Sequence, residues 1–155
     1  MFSKATEYAL RAAIYLAANS DEGKRLSLNE IAREIGSPVS FTAKVMQMLS
    51  RGDRLVHSVK GPGGGFYMTA KSKKLPVLSV IEAMGEEHVL SGCVLGLPRC
   101  SDARPCPMHE EYKYIKSELL DMFCSRTIES LTEASEAKVM QMPSNLRISF
   151  CRFLI

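Results

Sequence analysis

Three cysteines and one histidine crowd into residues 93–109 of this 155-residue chain, spaced Cys93-x6-Cys100-x5-Cys106-x2-His109. Thiolates are soft ligands that hold iron–sulfur clusters or zinc, and an imidazole completes a four-donor set. Pro98 and Pro105 stiffen the intervening loop. Cys106 immediately precedes a helical pattern, and the partial positive charge of a helix N-terminus favours a thiolate there. His109 falls in the first turn of that helix, placed to reach back to the same centre. The closely paired cysteine knuckles common in structural zinc sites are missing, which leans against zinc. On residue types alone, three readings stay open: an iron–sulfur cluster, zinc, and thiols that act by oxidation or do no chemistry. Cys124, near the end of the same helix, reads as a buried small hydrophobe. Cys151 stands alone, and His57 and His88 read as ordinary surface or core residues.

The elements that must carry this loop follow from periodicity. Ser3 looks like the N-cap of a helix reaching about residue 18, with Ala5, Tyr8, Ala9, Ala12 and Leu16 on one face. Ser27 followed by Glu30 is a capping-box pattern that opens a second helix, ended by Gly36. After the turn Ser37-Pro38-Val39, Ser40 is expected to cap a third helix. Its apolar stripe is Phe41, Val45, Met48 and Leu49, which leaves Thr42, Lys44, Gln47 and Arg51 facing outward. The period then changes. Residues 55–59 read as a strand, Gly61-Pro62-Gly63-Gly64-Gly65 as a turn, and residues 66–69 as the partner strand. A short helix over residues 78–84 stops at Gly85, and residues 86–105 read as an exposed loop. A long helix is expected from Pro107, where proline suits the first helical position. Another helix covers about residues 128–140, and residues 143–155 fit no element.

Two short helices, a tight turn and a glycine-rich hairpin make the winged helix-turn-helix plan. Such a helix enters the major groove with polar N-terminal side chains, and the wing approaches phosphates or the minor groove. Ser37, Ser40, Thr42, Lys44 and Gln47 are the expected reading surface, with Lys60, Gly61 and Gly63 at the wing. Charge agrees with a duplex partner. Residues 1–75 hold twelve Lys and Arg against six Asp and Glu, whereas residues 76–155 hold eight against eleven. A cationic front half favours a polyanion. No Gly-Lys-Ser/Thr follows the glycines, so the run is not a nucleotide-binding loop. Neither a Cys-x-x-Cys pair nor a His-Glu-x-x-His helix is present, which argues against an enzyme. No apolar run is long enough for a membrane span, and the chain reads as cytoplasmic.

Ser3-Lys4-Ala5-x-x-Tyr8-Ala9-x-Arg11-Ala12, Ile31-Ala32, and Ser58-Val59-Lys60-Gly61-Pro62-Gly63-Gly64-Gly65-Phe66 together resemble the IscR/NsrR/CymR family of winged-helix transcription regulators. The similarity covers about residues 1–135, with one extra residue before the wing and one between Cys93 and Cys100. It implies a bacterial dimeric DNA-binding regulator of iron–sulfur assembly, nitric-oxide response or cysteine metabolism. It also implies an iron–sulfur cluster, 2Fe-2S or 4Fe-4S, on Cys93, Cys100 and Cys106. The fourth ligand would be His109 or, as in the nitric-oxide-sensing branch, Glu7 contributed by the other subunit. The alternative is a regulator of the same fold without a cluster, which senses a small molecule or partner protein.

The long helix carries an apolar stripe, Tyr112, Ile115, Leu119, Met122 and Phe123, that projects past its own domain and suits a two-fold partner. The expected protein is therefore mainly α with a small β-hairpin wing. Residues 1–75 form the DNA-binding domain, 76–142 the cysteine loop and dimerisation helix, and 143–155 a tail. A homodimer on a double-stranded DNA operator is the expected assembly.

Overall fold

Side-chain caps fix where the first helices start. In the computed structural model, which describes residues 1–135, Ser3 accepts a hydrogen bond from the Thr6 N–H and α1 runs Lys4–Asn19. Ala9, Ala12, Ala13, Leu16 and Ala17 form its buried side, small enough to let neighbouring helices approach. Ser27 accepts likewise from Glu30 N–H, opening α2 (Leu28–Ile35). A cap of this kind contributes about 1 kcal/mol. Gly36 ends α2 at φ 67° and ψ 39°, a left-handed conformation that a side chain would strain.

α3 (Val39–Leu49) departs from the expected start. Pro38, not Ser40, stands at the N-cap, and Ser40 lies within the first turn. A 3-10 turn, Arg51–Asp53, follows.

The hairpin pairs β1 (His57–Val59) with β2 (Gly65–Tyr67), His57 opposite Tyr67 and Val59 opposite Gly65. Both strands are shorter than the alternation suggested. Leu55 and Val56 on one side and Met68 on the other are buried plugs that attach the hairpin to the core. A further bridge joins Leu26 to Phe66, each N–H donating to the other's carbonyl at 2.9 Å. The wing is thereby paired to the segment just before α2.

Next come α4 (Ala70–Lys73), α5 (Leu78–Ala83), α6 (His88–Ser91), α7 (His109–Ser125) and α8 (Ile128–Ser135). α6 lies inside the stretch expected to be loop, held by Leu90, which is buried. α7 starts two residues after Pro107, because His109 N–H bonds Cys106 C=O in a turn and Met108 becomes the cap. The expected helix over residues 128–140 is described as far as Ser135. Residues 136–155, with Cys151 and the expected tail, lie outside the described residues.

One apolar cluster joins the elements. Leu16, Ile31, Val45, Met46, Leu49, Val56, Met68, Val80 and Ile128 are all nearly or fully inaccessible. Each large side chain so buried contributes roughly 1.5–3 kcal/mol. α8 packs along α1. The connection before it is pinned: Val77 N–H bonds Arg126 C=O at 2.9 Å, Ile128 N–H bonds Leu75 C=O at 3.0 Å, and Pro76 bridges Thr127. The C-terminal end of α7 is thus fastened to the segment between α4 and α5, while its N-terminal end carries the cysteine loop.

Candidate metal centre and nucleic-acid surface

The loop from α6 to α7 brings its soft donors together in two pairs. Cys93 Sγ lies 3.8 Å from Cys106 Sγ, and Cys100 Sγ lies 3.5 Å from His109 Nδ1. All three thiols are half-buried and free of disulfides. Two thiolates bound about 2.3 Å from one tetrahedral metal sit about 3.8 Å apart. The Cys93–Cys106 separation has that value, so this pair fits a thiolate-bound metal group. His109, the first residue of α7, is only 5% exposed.

The surroundings of Cys93 favour its thiolate. The backbone N–H groups of Leu97 and Leu95 hold the Cys93 thiol below its ordinary value, with help from the Cys106 side chain and Lys116. Lys116 Nζ lies 3.4 Å from Cys100 Sγ and also donates to Ser91 C=O at 3.1 Å. On the far side of the imidazole, His109 Nε2 is 2.9 Å from Asp102 Oδ1. Lys113 Nζ donates to that same oxygen at 2.7 Å. Hydrogen bonding from Lys113, then from His109, holds the Asp102 carboxyl below the usual range. Asp102, Lys113 and Lys116 were not singled out in the sequence. Their one legible signal is that positions 109, 113 and 116 share a helix face.

Two other sequence expectations sit differently. Glu7, on α1, pairs with Lys4 at 2.6 Å within the protomer. Cys124 is exposed rather than buried, because the side of α7 that carries it does not pack on the core.

The expected DNA-reading face divides. Ser40, Lys44 and Gln47 are exposed along α3, with Lys60, Gly61 and Gly63 exposed at the hairpin tip. Thr42 is not outward. It is fully buried, and its Oγ1 donates to Pro38 C=O at 3.0 Å, one turn back. Ser37 is also buried and bonds Pro38 C=O at 3.5 Å. Both hydroxyls build the helix-turn-helix joint instead of facing solvent. Val39, 44% exposed at the first position of α3, joins the outward face. Its methyl groups suit contact with a thymine methyl. At the hairpin, Arg25 reaches Gly63 C=O at 3.4 Å and lies over the Tyr67 ring, which stacks on His57.

A helix pair whose second helix exposes Val39, Ser40, Lys44 and Gln47, followed by a glycine-rich hairpin with Lys60 at its tip, is the plan of a winged helix-turn-helix transcription regulator. The family model for Rrf2, described as an iron-dependent transcriptional regulator, matches residues 2–134. The chain belongs to the Rrf2 family. An HTH-type transcriptional regulator of Aquifex aeolicus is 36% identical over 138 residues, covering 88% of this chain and 94% of the relative. HTH-type transcriptional regulator IscR of Pectobacterium atrosepticum is 28% identical over 129 residues, 83% of this chain and 77% of that one.

Among solved structures, the global cysteine regulator CymR of B. subtilis superimposes with TM-score 0.72 at 19% identity, covering 88% of this chain and 98% of that chain. IscR of T. potens superimposes with TM-score 0.64 at 20% identity, covering 90% and 93%. These likenesses establish the fold as that of the winged-helix regulators. The relatives are transcription regulators and not enzymes. No helix among the described residues is long and apolar enough to cross a membrane.

Proposed function

We propose that this regulator is a cytoplasmic homodimer that binds an operator and senses iron–sulfur status, nitric oxide or redox state through an iron–sulfur cluster. The carrying observation is that one loop holds its soft donors as two close pairs, Cys93 with Cys106 and Cys100 with His109, with the imidazole almost sealed from solvent. These four side chains would hold the cluster. His109 is preferred to Glu7 because its Nδ1 already faces a thiol. When bound, the cluster supplies a centre that nitric oxide, oxygen or iron shortage can dismantle.

The chain's own part is mechanical. Cys93 follows α6, and Cys106 with His109 begins α7, so holding the donors together fixes one end of α7 against the loop. The other end is pinned to the segment between α4 and α5.

Dimerisation is read from α7 itself. Over 17 residues its one buried side chain is His109. Ile115 and Met122, seven residues apart, are 61% and 48% exposed, with the half-buried Leu119 between them. An unpaired apolar stripe of this kind is satisfied by the same stripe of a second copy. On DNA, Val39, Ser40, Lys44 and Gln47 take the groove, and Lys60, Gly61 and Gly63 the backbone. Residues 1–75 act as the reading head and the following segment as the sensing and pairing unit.

Anaerobic purification with iron and sulfide analysis tests the cluster, and equilibrium operator binding at one salt concentration tests the switch. Brown protein whose affinity changes on cluster removal supports the reading. Colourless, iron-free protein that still binds DNA would make it a cluster-free regulator.

A further inference from the structure

The proposed donors leave one tightly bonded group unexplained. Asp102 is not a cysteine-loop donor, yet its Oδ1 takes two charged or polar hydrogens. One comes from the buried His109 ring at 2.9 Å and the other from Lys113 at 2.7 Å. Asp102 itself is 72% exposed. An exposed carboxylate ordinarily stays in water, so its position over a buried imidazole requires an anchor. Lys113 supplies one. It lies one helical turn beyond His109 on α7, and the two grip the same oxygen.

A neutral imidazole has one N–H and one lone pair. The bond to a carboxylate requires the N–H at Nε2, which leaves the lone pair on Nδ1. That is the nitrogen 3.5 Å from Cys100 Sγ. Metal-binding histidines are commonly oriented in this way by an outer carboxylate. We propose that Asp102 is a positioning residue that fixes the His109 ring so that Nδ1 is the atom offered to the cluster. This rests on the four-donor reading given under Proposed function.

A competing arrangement is visible in the same place. Asp102, His109 and Glu110 have ligand atoms within 4.8 Å of one another and could hold a hard cation directly. That use demands Nε2 of His109 and a free Asp102 oxygen. Nε2 is already engaged with Asp102 Oδ1, and the Lys113 ammonium beside that carboxylate repels a second cation. The observed bonds therefore favour the orienting role.

The test uses full-length protein reconstituted anaerobically with ferrous iron and sulfide, then reduced for pulsed EPR. Histidine labelled with 15N at δ1 alone, or at ε2 alone, tells which nitrogen is bonded to iron. The wild type is expected to show strong coupling from the δ1 label and weak coupling from the ε2 label. Asp102→Asn keeps an oxygen acceptor and is expected to preserve that pattern. Asp102→Ala is expected to lose it and to release iron to a chelator about ten- to a hundredfold faster, with an unchanged thermal melt.

Strong ε2 coupling in the wild type would overturn the assignment. So would an Asp102→Ala protein with wild-type spectrum, whatever its rate of iron release. If Asp102→Ala cannot be loaded at all, the wild-type isotope pattern decides. Wild-type protein that takes up no cluster would overturn the functional reading, and this inference with it.

Discussion

Replacing Ile115 by alanine isolates the pairing role of α7. Ile115 is 61% exposed on a helix with no buried apolar residue of its own. Burying that remaining area against a partner is worth roughly 1–2 kcal/mol per side chain. A two-fold interface contains the residue twice, so the truncation removes roughly 2–4 kcal/mol per dimer. At about 1.4 kcal/mol per factor of ten, dimer dissociation should strengthen about thirty- to several-hundredfold. Alanine is a better helix former than isoleucine, so the helix itself is not weakened. Sedimentation equilibrium over a wide concentration range measures the dimer constant directly. Ser117→Ala, on the opposite side of the helix, should leave it unchanged. A dimer constant unaltered by Ile115→Ala, or wild-type protein that stays monomeric at high concentration, would refute the reasoning.

At the wing, an alanine Cβ on Gly64 would lie 2.3 Å from Val59 C=O and 2.8 Å from Gly61 C=O, so the turn must rearrange. Overpacking of this kind costs about 1–3 kcal/mol, and Gly64→Ala should weaken operator binding about tenfold or more by fluorescence anisotropy while leaving helical circular dichroism intact. Lys60→Ala should reduce the slope of log affinity against log salt by about 0.9 if its ammonium neutralises one phosphate. An unchanged slope would remove Lys60 from the interface.

Glu86 carries the pH prediction. Burial pushes its carboxyl up, but hydrogen bonds from Ser3, at 3.0 Å from the backbone N–H, bring it below the ordinary range. Its stabilising effect is therefore present above the unfolded carboxylate range and lost as pH falls through the lowered folded value. Glu86→Gln should be less stable than wild type near neutrality, and urea titrations should show the gap closing in acid.

Much of the head could be read from local chemistry. Ser27 with Glu30, Gly36 and the glycine run act within a few residues of themselves, and they sit where their patterns placed them except that Gly65 opens β2. Thr42 failed because a threonine at helical spacing looks polar, whereas its hydroxyl bonds the carbonyl one turn back and its methyl faces the core. Ser40 lost the cap to Pro38 for a related reason, since the proline already ends the turn.

At the candidate metal site, the cysteines and His109 were legible as residue types. The Asp102–Lys113 pairing was not, because it depends on how the loop folds back over α7. Cys124 shows the opposite error. A small sulfur residue near the helix end suggested burial, but His109 is the one buried residue of α7.

The fastening of Arg126 and Ile128 to Val77 and Leu75 gives α7 a fulcrum. A helix of 17 residues is about 26 Å long, so about 1 Å of travel at the cysteine end swings it by about 2°. The fulcrum grips the segment between α4 and α5. Movement of the cysteine end would therefore arrive as rotation of α7 about the segment that joins α4 to α5.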